Sequence, residues 1–366
     1  MINIQNTYNN AIVYADTLDS GAEGLIRALC GSPLSAGCTI RIMPDVHAGK
    51  GCAIGTTMTL TDKIAPGLVG VDIGCGLSVY KIRCKKLELQ KLDKTVHQAI
   101  PAGRSVRAKA HRFAEQLDLD ELCSGRHVQK DKALCSIGTL GGGNHFIELD
   151  KGQDGAFWLI IHSGSRKFGA EVAEFYQKEA YADMPDGIPY EFAYTTGALM
   201  QDYLHDMQIT QKFAEINRQA MAAELIKAMK WDVEDYFSCI HNYIDTERML
   251  LRKGAISAQA GERVLIPLNM RDGCLICLGK GNPGWNYSAP HGAGRLLSRA
   301  EAKQSFTLSQ FKKEMAGVYS TSISKETLDE SPMAYKPMQT ILKQIEPTAE
   351  VKERIYPVYN FKAGEE

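Results

Sequence analysis

From residue 201 to residue 230 the chain contains neither glycine nor proline, and Leu204, Met207, Phe213, Ile216, Ala220 and Leu225 recur along it at helical spacing. This predicts one long helix or a helical pair. The rest of the chain has another character. The first 82 residues alternate short β-type runs, at 39–43, 53–60 and 77–82, with Gly and Pro punctuation. Residues 85–135 read as helix and loop, with a basic cluster at Arg104, Arg107, Lys109 and Arg112. Strand-type runs return at 146–149 and 156–162, and again at 264–268 and 274–278. The last part mixes helix, at 308–315 and 338–344, with a strand-type run at 356–361. Strands at both ends around a helical excursion at about 166–235 predict an α+β fold rather than a regular β-α-β alternation. The expectation is a single compact domain over 1–366, with mixed β-sheets, flanking helices and a site in a central cleft.

Charge and cysteine usage narrow the function. Lys plus Arg number 42 and Asp plus Glu 43, a net charge of −1. A protein that coats DNA is clearly basic, so any nucleic-acid contact here must be local. The ten cysteines are scattered rather than evenly and closely spaced. No leader pattern is visible, and apolar runs such as 157–161 are far too short to cross a bilayer. A reduced, cytoplasmic protein without membrane contact is expected.

Polar chemistry is concentrated in a few tight motifs. Of nine histidines, five sit inside Gly- or Asn-rich motifs: His47 in MPDVHAGKG, His145 in GGGNH, His162 in HSGSR, His241 in HN, and His291 in PHGAGR. Asp72 and Cys75 lie three apart in DIGCG, where a Gly-tight loop can turn both toward one point. Any one such histidine is more often a hydrogen-bonded core residue than a ligand. Taken together, imidazoles, a thiol and a carboxylate are the usual ligands of divalent transition metals, and this set alone suggests zinc, iron or cobalt before manganese. His97, His111, His127 and His205 lie in charged helical surroundings and read as surface or structural residues. Cys274-Leu-Ile-Cys277 is a zinc half-site, a redox pair or, as its apolar setting favours, part of a packed strand. The Gly-rich stretches 138–143 and 291–294 can aim backbone N–H groups at an anion, though neither is a Walker A loop. Arg166 and Arg295, directly after two of the histidine motifs, suit bidentate phosphate capture or a surface ion pair.

In their order along the chain, MPDVHAGKG, VGVDIGCG, GTLGGGNHFIEL, HSGSR, HNYI, LGKGNP, APHGAGR and the terminal YPVYNFK resemble the RtcB family of 3′-phosphate RNA ligases, covering residues 43–362. The resemblance implies an enzyme that joins RNA 3′-phosphate or 2′,3′-cyclic phosphate ends to 5′-hydroxyl ends, in RNA repair or tRNA splicing, with GTP as co-substrate. It implies two Mn²⁺ ions held by Asp72, Cys75, His145, His162 and His241, with Cys75 bridging. It makes His291 the nucleophile that takes GMP. Asn144, His145, Phe146, Ile147, Glu148, His241, Asn242, Pro267, Leu268, Asn269, Met270, Cys274, His291, Gly292, Ala293, Gly294 and Lys362 fall at guanylate contacts, and Arg166 and Arg295 at RNA phosphates. His47 carries no assigned role. An archease-like activator serves some relatives, and a monomer is expected. The chain is short for the family and departs from it at Pro267-Leu-Asn-Met270, at Cys274, at Lys167-Phe168 and by one residue after Lys362. The altered 267–270 turn keeps open a capping enzyme that guanylates 3′-phosphates and stops there; a second alternative is a metal phosphodiesterase that needs the metal cluster but neither GTP nor His291.

Overall fold

A computed structural model describes residues 1–364; residues 365 and 366 of the expected 1–366 span lie outside the described residues. The apolar runs at 146–149 and 156–162 become adjacent antiparallel strands, Phe146–Lys151 and Phe157–Ser163. Phe146, Trp158 and Ile160 pack on one side, while Ile147, Leu149, Leu159 and Ile161 pack on the other. Side chains alternate across a strand, so a run that is apolar at every position needs a covering layer on both faces. These two strands sit within a seven-stranded sheet ordered Arg263–Asn269, Gly273–Gly279, Ala349–Lys362, Phe146–Lys151, Phe157–Ser163, Gly76–Arg83 and Asp232–Ile240. Every neighbouring pair is antiparallel. Leu92, Val96, Met221 and Leu225 cover one face, and Ile341 and Ile345 the other.

A second, six-stranded sheet runs Ile2–Gln5, Asn10–Val13, Ile40–His47, Ile54–Thr59, Leu250–Lys253 and Asn242–Asp245. It is mixed, because Asn10–Val13 pairs in parallel with Ile40–His47. Its core joins Ile40, Ile42, Met58 and Leu251 to Phe213, Ile216 and Ala220. The 201–230 stretch is one helix, Gly197–Met229, of 33 residues. It supplies the second sheet's core from its middle and the first sheet's core from its last turns, so apolar residues line more than one of its faces. Lys230 ends it in the left-handed conformation. The excursion expected over 166–235 therefore consists of helices Arg166–Ala182 and Gly197–Met229, and strand begins again at Asp232. That strand was not anticipated. It lies at the sheet edge with its first half exposed, so DVEDYF shows no apolar alternation. The α+β organisation holds. Among the described residues no helix is long and apolar enough to cross a membrane.

Strand register sets the position of the site. Gly76 stands opposite both Ser163 and Ile240, and Phe146 opposite both His162 and Lys362. Five strand ends thus meet on one rim of the large sheet. A short ladder, Ala255–Ser257 with Ser288–Pro290, delivers His291 to the same rim.

Two polar residues within the long helix tie this rim together from beneath. Asn217 accepts hydrogen bonds from the Gly138 and Thr139 amides and donates to Ser163 Oγ and the Gly164 carbonyl. Arg218, fully buried, donates to the Gly74 and Ser163 carbonyls and to Ser78 Oγ. Three loops are fixed by one helical turn. Arg218→Met is expected to destabilise the fold by about 3–5 kcal/mol, because it orphans buried carbonyls. Urea unfolding checks this; a loss below roughly 1 kcal/mol would show that the loops hold without it.

Candidate active site

Cys75 leads into strand Gly76–Arg83, His145 into Phe146–Lys151, His162 closes Phe157–Ser163 and His241 follows Asp232–Ile240. All four converge because their strands end on the same rim. Cys75 Sγ lies 3.4 Å from Nε2 of both His145 and His162. His145 Nε2 is 3.1 Å from Asp72 Oδ2, and the Nε2 atoms of His162 and His241 are 3.5 Å apart. Donors held at ~2.1–2.3 Å from one tetrahedral ion stand about 3.4–3.8 Å apart, so these separations suit a divalent cation. Among the described residues, Asp72, Cys75 and His145 form one three-donor group and Cys75, His162 and His241 another, sharing the thiol.

The surroundings point the donors inward. His145 Nδ1 faces the Leu140 carbonyl and His162 Nδ1 the Asn144 carbonyl, both at 3.0 Å. Each carbonyl can accept the Nδ1 proton, which turns Nε2 toward the cluster. The Ser165 amide donates to Asp72 Oδ1, and a Cβ on Gly164 would collide with that carboxylate. Burial first, then neighbouring positive charge, pushes His162 and His241 well below the usual imidazole range, so both are neutral and fit to bind metal. Burial also opposes ionisation of Asp72, but hydrogen bonding and charge from His145 outweigh it and hold the carboxyl low. Burial and the Asp72 charge push the Cys75 thiol well up. A bound cation reverses that effect and deprotonates a coordinating thiol. His241 Nδ1 is buried without a hydrogen-bond partner.

His291 stands beside this cluster, its ring centroid 4.8 Å from that of His241. Its Nδ1 lies 2.6 Å from Asp45 Oδ2, and its backbone N–H donates to the same oxygen. Asp45 is fully buried, and a Cβ on Gly294 would strike its backbone, so the HGAG loop is pressed onto the 40–47 strand. Asp45 was within reach of the sequence, inside the MPDVH motif, but nothing local showed that it would meet a residue 246 positions away. His47 turns its own Nδ1 back to the Asp45 carbonyl at 2.8 Å.

A cavity of about 660 Å³ opens over the cluster and His291. Of the expected nucleotide contacts, Asn144, Phe146, Glu148, His241, 267–270, 291–294 and Lys362 line it. His145, Asn242 and Cys274 lie behind its wall. Asn242 ties the Asp72 carbonyl to the Gly254 amide, and Cys274 backs Glu148 at 3.6 Å. Ile147 turns to the opposite face of the sheet and packs with Leu149 and Leu225. The altered turn is well formed: Asn269 accepts from the Arg271 and Asp272 amides, and the Pro267 carbonyl accepts from Ala293 N–H.

The two arginines expected at RNA phosphates are engaged with protein. Arg166 donates to the Gly103 carbonyl and Thr139 Oγ1 from a left-handed backbone position. Arg295 lines the cavity and donates to Glu330, to the Asp329 and Leu297 carbonyls and to Tyr335. Arg107, from the basic cluster, likewise turns inward onto the Ala99, Ile137 and Gly138 carbonyls. Lys362 pairs with Glu330, a buried partner that the sequence reading did not single out. Cys274 and Cys277 belong to the packed strand Gly273–Gly279, as their apolar setting favoured.

Comparison with known proteins shows the family. The family model described as tRNA-splicing ligase RtcB matches residues 34–363. The RNA-splicing ligase RtcB of Escherichia coli (strain K12) is 32% identical over 346 residues, covering 83% of this chain and 85% of that protein. The tRNA-splicing ligase RtcB of Aeropyrum pernix is 28% identical over 402 residues, covering 82% of each. The RNA-splicing ligase RtcB2 of Escherichia coli (strain ATCC 25922) is 28% identical over 329 residues, covering 82% of this chain and 81% of that protein.

Proposed function

The chain belongs to the RtcB family of RNA ligases, and from that premise we propose that it seals RNA 3′-phosphate or 2′,3′-cyclic phosphate ends to 5′-hydroxyl ends through a guanylated His291, with GTP as co-substrate. The observation that carries this reading is His291 itself. Its Nδ1 is held by a buried carboxylate, next to a five-residue donor set and inside a cavity that also contains Glu148 and Lys362. With the proton on Nδ1 donated to Asp45, the Nε2 lone pair is free to attack. Nε2 bonds to the α-phosphorus of GTP, the α–β phosphoanhydride breaks, and pyrophosphate leaves. The Asp45 carboxylate stabilises the positive ring that results. An RNA 3′-phosphate oxygen then takes the GMP from His291, giving an RNA–pp–G end. The 5′-hydroxyl attacks the RNA-side phosphorus, GMP leaves, and a phosphodiester remains.

Asp72, Cys75, His145, His162 and His241 would hold two divalent ions, which when bound neutralise phosphate charge and open a cyclic phosphate. The donor set fits a divalent transition metal generally; manganese is the family's choice, and the thiol and imidazoles would accept zinc or cobalt too. Arg166 and Arg295 reach RNA phosphates once substrate competes for their present partners. The protein acts in the cytoplasm as a monomer, on cleaved tRNA or damaged RNA, with an archease-like activator as a further partner.

The test is incubation with α-³²P-GTP and manganese, then denaturing electrophoresis. A GMP label that is acid-labile and alkali-stable marks the phosphoramidate. No label from protein carrying two metal equivalents would discard the guanylation and favour the GTP-independent phosphodiesterase; label without sealing of RNA ends would leave the capping enzyme. Asp45→Asn should keep the metal but slow labelling by about 10²–10⁴-fold in single-turnover assays, because the ring loses its fixed tautomer. Labelling at the unaltered rate would remove Asp45 from the mechanism.

A further inference from the structure

At the cavity wall lies a buried acidic pair, Glu148 and Asp150, of which the reaction as described gives Asp150 no role. Glu148 and Asp150 alternate on strand Phe146–Lys151 and so share a face, and Cys274 approaches them from the strand two places away. One donor atom from each lies within 4.8 Å of the others, and all three residues are buried. Only Glu148 reaches the cavity, together with Asn360 directly across from it. Glu148 Oε2 accepts from Asn360 Nδ2 at 2.5 Å and Oε1 from the Cys274 thiol at 3.6 Å. Asp150 is fully buried, and neither of its carboxyl oxygens has a donor.

Two buried carboxylates within 4.8 Å of each other cannot both carry charge without a cation. Lys362, whose charge acts on Glu148, is itself engaged by Glu330. A single proton shared within the pair resolves both the charge and the orphaned oxygens, as in other buried carboxyl pairs. The deeper group is the one to hold it, since Glu148 alone has polar donors of its own.

We propose that Asp150 is a neutral carboxylic acid that donates its proton to Glu148, and thereby fixes Glu148 as an ionised acceptor for the N1–H and N2–H edge of guanine. Asp150 is a positioning residue for nucleotide selectivity. Burial, followed by the Glu148 charge, pushes the Asp150 carboxyl well up, in keeping with this assignment. The Cys274 thiol, also pushed well up by burial and these two acids, stays protonated and completes the donor set around Glu148. Adenine offers an acceptor where guanine offers N1–H, so an ionised, fixed Glu148 rejects it. The inference rests on the guanylate reading above.

The experiment compares wild type, Asp150→Asn and Asp150→Val for GTP, ITP and ATP affinity, with infrared spectra of each. Wild type should show the C=O stretch of a protonated carboxyl, and Asp150→Asn should lose it. Asp150→Asn, whose amide still donates, should bind GTP within about threefold of wild type. Asp150→Val should lose about tenfold or more in GTP affinity, with less effect on ITP, which lacks the N2 amino group, and with the rate at saturating GTP unchanged. Three outcomes would overturn the proposal: no protonated-carboxyl band in wild type, wild-type GTP selectivity in Asp150→Val, or a bound metal equivalent that Asp150→Asn loses. Wild type that prefers GTP while Asp150→Val does so equally fails this inference alone. Wild type that binds ATP as well as GTP fails the guanylate reading and the inference with it.

Discussion

Replacing His291 with alanine is expected to abolish transfer of GMP to the protein, by about 10⁴-fold or more, while metal content and melting temperature stay near those of the parent. The size follows from the geometry. His291 is the one imidazole at the cavity whose Nδ1 is taken by a buried carboxylate, while His145 and His162 are committed to backbone carbonyls and the donor cluster. Alanine leaves no nitrogen for the α-phosphorus. The variant also separates steps. Only the formation of RNA–pp–G needs the nucleophile, so His291→Ala given RNA already carrying that end should still seal it. Sealing of pre-guanylated RNA with no labelling of protein is the expected pair of results. Labelling at the parental level would remove His291 from the role and move the search to His47, whose Nδ1 is held by the Asp45 carbonyl in the same cavity.

How much of this was legible beforehand depends on the range over which each constraint acts. The strands at 146–151 and 157–163 and the long helix follow from local apolar pattern; the structure places the strands within a residue or two of the expected limits, and the helix ends within one residue of its expected limit but starts four residues earlier. The five donors could be named because they sit in four short motifs, Asp72 and Cys75 sharing one, that together carry the family resemblance. Their pairing into two groups around Cys75 was not readable from spacing; it depends on the register that sets Gly76 against Ser163 and Ile240. Asp45, Glu330 and Asn360 were missed for the same reason, since their partners lie 246, 32 and 212 positions away. Asn217 and Arg218 did leave a trace: two adjacent polar residues between Phe213, Ile216 and Ala220, in a helix that buries more than one face. Polar residues in such a helix call for specific partners, and here the partners are the carbonyls, amides and hydroxyls of the metal-side loops. Arg166 and Arg295 show the converse. Their place beside histidine motifs suggested phosphate, yet both are tied into the scaffold through main-chain carbonyls.

Removal of the shared thiol should have the other large effect. Both three-donor groups include Cys75 Sγ, so Cys75→Ala leaves each with only two of its donors, whereas Asp72→Asn weakens the Asp72–Cys75–His145 group alone. Each ion should therefore bind roughly 10²-fold or more weakly in Cys75→Ala, beyond the 10–100-fold typical of losing an outer partner. Metal analysis after gel filtration should then find neither equivalent retained, and guanylation should fall with it. Asp72→Asn should keep one equivalent, held by Cys75, His162 and His241. The asymmetry tests the arrangement rather than the mere presence of ligands, because two independent sites would lose one ion each to either substitution. Two equivalents retained in Cys75→Ala would take the thiol out of the bridge, and would leave His145 with Asp72 and His162 with His241 as separate pairs needing other donors. Folding is not the confounder here. Cys75 is packed between loops already fixed by Arg218 and Asn217, so the alanine protein should unfold at the urea concentration of metal-free parent.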